Sequence, residues 1–197
     1  MKIIATSLTF LTSLLLISLP VQGQEIRKGQ EASNIYRGSE LVRTSKHSNL
    51  PSYIRFSSDT KLPVTQIESW MKNEFDLSPQ MGFELIRSEK DPLGFTHTRL
   101  KQTYNGIPIE AATWVTHTKN NLVVSMNGMI FQSLPAGTTP SISETAALDK
   151  AKDYVGASVY KWEIPEEEEH IKWETGDPEA SFYPNAELVY VPKNFIY

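Results

Sequence analysis

The stretch FTHTRLKQTYNGIPIEAATWVTHTKNNLVVSMNG, from Phe95 to Gly128, decides the fold of this chain. Asn105-Gly106 divides it into two runs, and this dipeptide is typical of a two-residue β-hairpin turn because both residues tolerate positive φ angles. Asn120-Asn121 marks a second turn further along the chain. The segment therefore predicts an antiparallel meander with strands over residues 95–104, 107–117 and 122–131.

The two turns also predict which residues share a face of the sheet. If Tyr104 faces Ile107 and each further pair steps one residue outward, the side chains of one face are largely apolar. The members of this predicted core face are Leu100, Gln102, Tyr104, Ile107, Ile109, Ala111, Val115, Leu122, Val124, Met126 and Ile130. The other face carries Phe95, His97, Arg99 and Lys101, opposite Thr116, Trp114, Ala112 and Glu110. In this register Lys101 and Glu110 form a favourable cross-strand charge pair.

Shorter patterns on either side of the meander predict two helices and further strands. Leu62-Pro63 opens a helix that ends at Leu77-Ser78-Pro79. Its apolar residues recur with a 3.6-residue period, at Val64, Ile67, Trp70, Met71 and Phe75. Ser141 or Ser143 caps a second helix that ends at Gly156. Strand candidates cover residues 53–56, 83–86 and 186–191, whereas the intervening region 163–184 is acidic and irregular.

These elements indicate an α+β fold built from two small cystatin-like units, each a helix packed on an antiparallel sheet. The first unit covers residues 50–134. The second covers residues 135–197 and is incomplete, because a helix with so little sheet cannot bury its apolar face. Residues 24–49 are polar and lack a sustained period, so we expect a flexible leader there.

The N-terminus, residues 1–23, has the form of a secretory signal peptide. Lys2 precedes an apolar run over residues 3–19, and Val21 and Gly23 are suitable residues before a cleavage site. We predict cleavage between Gly23 and Gln24, and therefore secretion to the extracellular space or the periplasm. A membrane anchor is the alternative, but the run is short for a span and contains several Ser and Thr residues.

The composition narrows the classes of function. The 197 residues contain no Cys, which excludes disulfides, thiolate zinc sites, a cysteine nucleophile and lipoprotein anchoring. The net charge of −4 and the pI near 5.6 argue against partners that recruit basic surfaces. We therefore expect neither a nucleic-acid partner nor a membrane partner after signal cleavage.

No pattern in the sequence points to catalysis. None of the four histidines stands in the His-Glu-x-x-His spacing that places two imidazoles on one zinc ion; they are His47, His97, His117 and His170. In the predicted register His97 faces Trp114. His117 faces Gly94, so the two rings point to opposite faces and cannot share a metal unless the register is wrong. The run from Glu166 to Glu169 lacks the spacing of a calcium loop. We predict no catalytic residue and no metal site.

Residues 93–109, LGFTHTRLKQTYNGIPI, resemble the signature of the fungalysin/thermolysin propeptide (FTP) domain. The positions that match this signature and its continuation are His97, Arg99, Gln102, Tyr104, Asn105, Gly106, Pro108, His117 and Gly128. Ala111 departs from the pattern, because the family often has Gly there; ordinary β backbone would tolerate the change. Further on, residues 140–151, PSISETAALDKA, look like the opening helix of a PepSY-type segment.

The resemblance implies the N-terminal prosegment of a secreted thermolysin-like zinc metalloendopeptidase. Such a prosegment is a non-catalytic intramolecular chaperone that inhibits the peptidase until it is removed. Its partner is the peptidase catalytic domain, in cis or in trans, and zinc and calcium bind only to that domain, which residues 1–197 lack. Two alternatives stay open: a stand-alone secreted inhibitor or chaperone, and a cystatin-like binding module unrelated to any peptidase.

A prosegment needs a surface that docks on the peptidase. Phe95, Arg99 and Trp114 share one face in the predicted register, and we expect this face to make the contact. The alternative is that Trp114 and Phe95 pack beneath the first helix.

Overall fold

The computed structural model describes residues 25–45, 48–134, 137 and 139–192. The predicted signal peptide and His47 lie outside these residues. Within them the chain forms seven strands and four α-helices, in the order β1 (Ile26–Lys28), α1 (Gln30–Ile35), β2 (Ser39–Thr44), β3 (Pro51–Phe56), α2 (Ile67–Glu74), β4 (Met81–Lys90), β5 (Phe95–Tyr104), β6 (Ile107–Lys119), β7 (Leu122–Gly128), α3 (Glu144–Val155) and α4 (Pro165–Thr175).

The seven strands join in one antiparallel sheet with the order β1-β2-β3-β7-β6-β5-β4. Strands β5, β6 and β7 confirm the predicted meander, and β4 continues it as an outer strand. Strand β3 pairs with β7, with Ile54 opposite Met126, and so connects the N-terminal strands to the meander. The α+β class is confirmed.

The N-terminal segment is part of this sheet, so the expectation of a flexible leader without regular structure over residues 24–49 is wrong. Strand β1 pairs with β2, and β2 pairs with β3. Ala32, Tyr36 and Val42 contribute buried side chains to the common core. These apolar residues lie on short elements among polar ones, so no period is long enough to be read from the sequence.

Helix α2 packs on one face of the sheet through an aromatic cluster. Phe75, which follows the last turn of α2, contacts Tyr36 edge-on with ring centroids 5.3 Å apart, and contacts Trp114 of β6 at 5.7 Å. Trp70 contacts Phe56 of β3 at 5.1 Å. Edge-to-face contacts at these distances are the favourable geometry for aromatic pairs. The first predicted helix is therefore confirmed, with its apolar face on the core.

The C-terminal region has helices but no strand of its own among residues 139–192. Helix α4 occupies part of the region predicted to be irregular, and the predicted strand over residues 186–191 is reduced to one bridge between Tyr190 and Ile109. Helix α3 is capped by the Ser143 hydroxyl and ends at Gly156 in the left-handed conformation. No residue of α3 or α4 is buried. The two-unit, cystatin-like description is therefore not confirmed.

None of the helices in the described part of the chain is long and apolar enough to span a membrane.

Candidate functional site

The two turns of the meander have the predicted conformation. Asn105 and Gly106 have φ angles of 50° and 80°, and Asn120 and Asn121 have φ angles of 51° and 61°. Positive φ at both central residues is the geometry whose twist matches that of the flanking strands. Both hairpins are therefore confirmed at their turns.

The register beyond the first turn differs from the prediction because β6 contains a large bulge. Between the pair Thr103–Pro108 and the pair Lys101–Thr113, one residue of β5 faces four residues of β6. The surplus is odd, so every residue of β6 from Thr113 onward points to the face opposite the predicted one. Ala111 lies within this bulge at a φ of 63°, so its backbone is left-handed rather than ordinary β.

A second bulge shifts the register between β6 and β7. Thr118 pairs with Val123, but His117 pairs with Ser125, so Val124 is the extra residue. Val124 is 36% exposed, which contradicts its predicted place in the core. A one-residue bulge of this kind cannot be read from turn positions, which fix the register only next to the turn.

Trp114 consequently lies in the core instead of on the predicted docking face. Its side chain is 1% exposed and packs against Phe75, while Val115 takes the position on the opposite side of the sheet. The predicted docking surface of Phe95, Arg99 and Trp114 is therefore wrong for Trp114. The alternative placement beneath the first helix is correct for Trp114, whereas Phe95 does not belong to the core cluster.

We call the side of the sheet opposite this core the outer face; it includes Phe95, His97, Arg99, Val115 and His117. The Phe95 ring stacks on the imidazole of His97 at 6.5 Å, and the Lys119 ammonium lies 4.7 Å from the Phe95 ring centroid. Both contacts order an aromatic side chain that is only half-buried.

Arg99 is an exposed cation on the outer face. It stands opposite Arg87 of β4, and within the described residues its guanidinium has neither a hydrogen bond nor an ion-pair partner. The predicted pair of Lys101 and Glu110 does form, with Nζ and Oε2 3.4 Å apart, although Thr113 rather than Glu110 is the backbone partner of Lys101.

The bulge brings His97 and His117 together on the outer face, so their predicted separation is wrong. They are direct cross-strand partners, and their Nδ1 atoms are 2.7 Å apart. The ring centroids are 4.9 Å apart in an edge-on arrangement. Both imidazoles are half-buried.

Two further residues form hydrogen bonds with the Nε2 atoms of these rings. Asp91, in the turn between β4 and β5, accepts a hydrogen bond from His97 Nε2 at 3.0 Å, and it also accepts the Phe95 backbone N–H at 2.8 Å. Asn127 Oδ1 of β7 lies 2.9 Å from His117 Nε2. The hydrogen bond from His97 is the main cause that lowers the pKa of the Asp91 carboxyl.

In the sequence, Asp91 begins the turn-like run Asp91-Pro92-Leu93-Gly94, and Asn127 precedes Gly128. Nothing in their spacing connects either residue with a histidine, because Asp91 reaches His97 through the fold of its turn and Asn127 reaches His117 only through both bulges. The network Asp91–His97–His117–Asn127 therefore had no sequence signal beyond the family resemblance at its two histidines.

Gln102 fixes the end of the meander. Its side chain is 1% exposed, and its amide makes two hydrogen bonds with the backbone of Phe131: Nε2 donates to the carbonyl at 2.7 Å and Oε1 accepts the N–H at 2.8 Å. Because β6 bulges away opposite Gln102, this side chain joins β5 directly to the chain that leaves β7.

Gly128 allows β7 to pass close to Trp114. A Cβ at this position would lie 2.1 Å from the Thr113 carbonyl oxygen and 2.6 Å from Trp114 Cε3. These distances are shorter than any contact that real Cβ atoms make, so the site requires glycine.

Tyr104 and Pro108 hold the C-terminal segment against the bulge. The backbone N–H of Tyr190 donates to the Pro108 carbonyl, and the Tyr190 carbonyl accepts the N–H of Glu110, both at 2.8 Å. The Tyr104 and Tyr190 rings meet edge-on at 5.7 Å. This parallel bridge occupies the part of β6 that extends beyond the end of β7.

A metal does not fit between the two imidazoles as they stand. No group of three or more His, Asp, Glu or Cys side chains that could hold an ion occurs among the described residues. Zinc–nitrogen bonds of about 2.0–2.1 Å in tetrahedral geometry would hold the two nitrogens about 3.3 Å apart. The observed distance of 2.7 Å is that of a hydrogen bond.

The structure is thus an α+β domain built on one sheet. Its turns and strand ends are fixed by residues that carry the family resemblance, such as Asn105-Gly106, Gln102 and Gly128. Residues 82–130 match the Fungalysin/Thermolysin Propeptide Motif. The chain thus carries the propeptide motif of fungalysin- and thermolysin-type peptidases, as the resemblance at residues 93–109 predicts. The matched region covers most of β4 and all of β5, β6 and β7, and it does not extend to the PepSY-like helix.

The motif is a propeptide motif and not a catalytic one. In its family such propeptides pair with thermolysin-like peptidase domains of secreted enzymes.

Proposed function

We propose that this chain is the prosegment of a secreted zinc metalloendopeptidase and acts as its intramolecular chaperone and inhibitor. The observation that supports this function most directly is the propeptide motif over residues 82–130. The proposal includes export through the signal peptide with cleavage near Gly23-Gln24, a PepSY-like role for residues 135–197, and action on the catalytic domain in cis or in trans.

The mechanism we propose is binding energy. A prosegment that binds the folded peptidase better than the unfolded one stabilises it by mass action. If the same contacts already form in the folding transition state, they also accelerate folding. Zinc and calcium belong to the peptidase domain in this scheme, and the described residues contribute binding surface only.

We propose the outer face as the docking surface, with Phe95 and Arg99 as contacts and without Trp114. Phe95 offers a half-buried aromatic ring that is already ordered by two neighbours. Arg99 offers a guanidinium that has no internal partner among the described residues and lies beside the like charge of Arg87. Since Arg87 is ion-paired with Glu89 at 3.4 Å, Arg99 is the cation of this pair that is left to meet an acidic group on the partner, where complementary charge favours both encounter and binding.

The test is inhibition of a purified thermolysin-type catalytic domain from the same genome by the mature chain and by Arg99→Glu. We expect the substitution to weaken inhibition about tenfold or more, because it replaces an attraction by a repulsion. Lys28→Glu is the matched control, since Lys28 is exposed on β1 at the far edge of the sheet. Equal inhibition by both folded variants would refute this docking surface, and no inhibition by the unaltered chain would refute the function.

A further inference from the structure

Asp91, His97, His117 and Asn127 form one continuous hydrogen-bonded chain across the outer face. It begins in the turn after β4, crosses β5 and β6, and ends on β7. This hydrogen-bonded network therefore connects the turn of the β4–β5 hairpin to β7, the strand in the middle of the sheet. Its geometry determines how many protons the two imidazoles can carry.

The three contacts accommodate a definite number of ring protons. The Asp91 carboxylate only accepts, so His97 Nε2 carries a proton. The two Nδ1 atoms, 2.7 Å apart, have room for one proton between them. His117 Nε2 carries a proton when Asn127 presents its oxygen, and carries none when the amide turns over and donates. The pair thus holds two or three protons, whereas two imidazolium ions would hold four.

We propose that His97 and His117 form an acid-sensitive latch, in which uptake of the fourth ring proton separates the two rings and loosens β5 from β6 on the outer face. This inference rests on the sheet itself and does not depend on the proposed peptidase partner. The fourth proton would place two hydrogens between nitrogens in contact and two positive charges on adjacent rings.

Charged side chains face the pair from the strands on either side of it. Glu89 of β4 is the backbone partner of His97, but its carboxylate is ion-paired with Arg87 at 3.4 Å, so Asp91 is the carboxylate that contacts the pair. Positive charge faces the pair from two further strands, at Arg99 of β5 and Lys119 of β6, whereas Arg87 of β4 is compensated by Glu89. From β7 the facing side chains are the uncharged Ser125 and Asn127.

The sign of the pH dependence follows from the proton count. In the unfolded chain both imidazoles are free, so each takes up its proton near its ordinary pKa of about 6.5. The folded pair takes up one proton fewer at acid pH. Because the unfolded state then binds more protons, stability falls as the pH decreases. A difference of one proton raises the unfolding equilibrium constant about tenfold per pH unit.

The experiment is urea unfolding of the mature chain between about pH 7.5 and about pH 5. His117→Gln removes one partner and leaves His97 free to take up its proton beside Asp91. Below about pH 6, we expect the unfolding equilibrium constant of the wild type to rise about tenfold more per pH unit than that of this variant. His170→Gln is the matched control, because His170 lies exposed on α4 and makes no contact with the pair. It should keep the wild-type slope.

Nitrogen-detected NMR of the wild-type chain provides a second readout that needs no variant. We expect His97 and His117 to titrate in two separated steps, with one shared Nδ1 proton before the second step. Independent one-step titrations of both rings, or equal pH slopes for wild type and His117→Gln, would overturn the proposal. Stabilisation of the wild type but not of His117→Gln by micromolar zinc would also overturn it, because the pair would then be a metal site.

Discussion

Replacing Ala111 by glycine should stabilise the protein, although glycine usually weakens a strand. Ala111 has a φ of 63° within the bulge of β6, in the left-handed region where a Cβ is unfavourable. Its neighbour Ala112 is fully buried and is not among the residues with positive φ. The two adjacent alanines therefore provide a matched pair, in which the same substitution has opposite expected effects.

The magnitudes follow from these two backbones. Left-handed backbone costs a residue with a Cβ about 1–2 kcal/mol, and the greater freedom of glycine in the unfolded chain costs about 0.5–1 kcal/mol. Ala111→Gly should therefore raise the free energy of unfolding by about 0.5–1 kcal/mol. Ala112→Gly relieves no strain and loses a buried methyl group, so it should lower the free energy of unfolding by about 1.5 kcal/mol.

Urea unfolding of the mature chain, followed by tryptophan fluorescence, measures both free energies. The expected difference between the two variants is about 2 kcal/mol, well outside the error of such curves. If Ala111→Gly destabilised the protein as much as Ala112→Gly, the left-handed bulge would be disproved. The register that brings His97 and His117 together would be disproved with it.

Three further substitutions test the same arrangement by equilibrium unfolding, and a fourth tests the charge of Asp91. Gly128→Ala should cost about 3 kcal/mol or more, because its Cβ would collide with backbone; a cost below about 1 kcal/mol would contradict the close approach of β7. Gln102→Leu should cost about 2 kcal/mol by leaving the Phe131 backbone unpaired, and a neutral result would contradict that pair of hydrogen bonds. Trp114→Ala should cost about 3–5 kcal/mol as a core substitution, whereas a surface position would cost almost nothing. The lowered pKa of Asp91 stabilises the wild type above the ordinary pKa of Asp, and this stability is lost as the pH falls through the lowered folded pKa. Asp91→Asn should remove this contribution. If the free energy of unfolding depended on acid pH in the same way in both proteins, Asp91 would not be paired.

The parts of the fold that sequence reasoning predicts correctly are those fixed by neighbouring residues. Asn105-Gly106 and Asn120-Asn121 specify their turns through their own φ preferences. Helix α2 follows from a repeat of apolar side chains within a few turns. Each of these signals lies within the element that it specifies.

The face assignments fail because two bulges intervene, and the number of extra residues in a bulge depends on packing across the sheet. One signal was present: the family often has Gly where this chain has Ala111, and a glycine in a strand often marks a bulge. Treating that position as ordinary β backbone hid the change of face. Trp114 and Val115 exchange places for this reason alone.

The candidate site is the least predictable feature, because it depends on both bulges at once. The contact between His97 and His117 needs the bulge in β6, and the approach of Asn127 needs the bulge opposite His117. Asp91 joins through a turn whose sequence signals only a change of direction. Exposed Arg99, by contrast, lies on the predicted side of its strand, since β5 itself contains no surplus residue.

Refolding of the peptidase is the most direct test of the prosegment function. A denatured thermolysin-type catalytic domain is diluted into buffer with or without an equimolar amount of the mature chain, which is then removed by limited proteolysis before peptidase activity is assayed. Our account predicts a several-fold higher yield of active enzyme with the chain present, and low activity before its removal. An equal yield with and without the chain, for every such catalytic domain of the source genome, would contradict it.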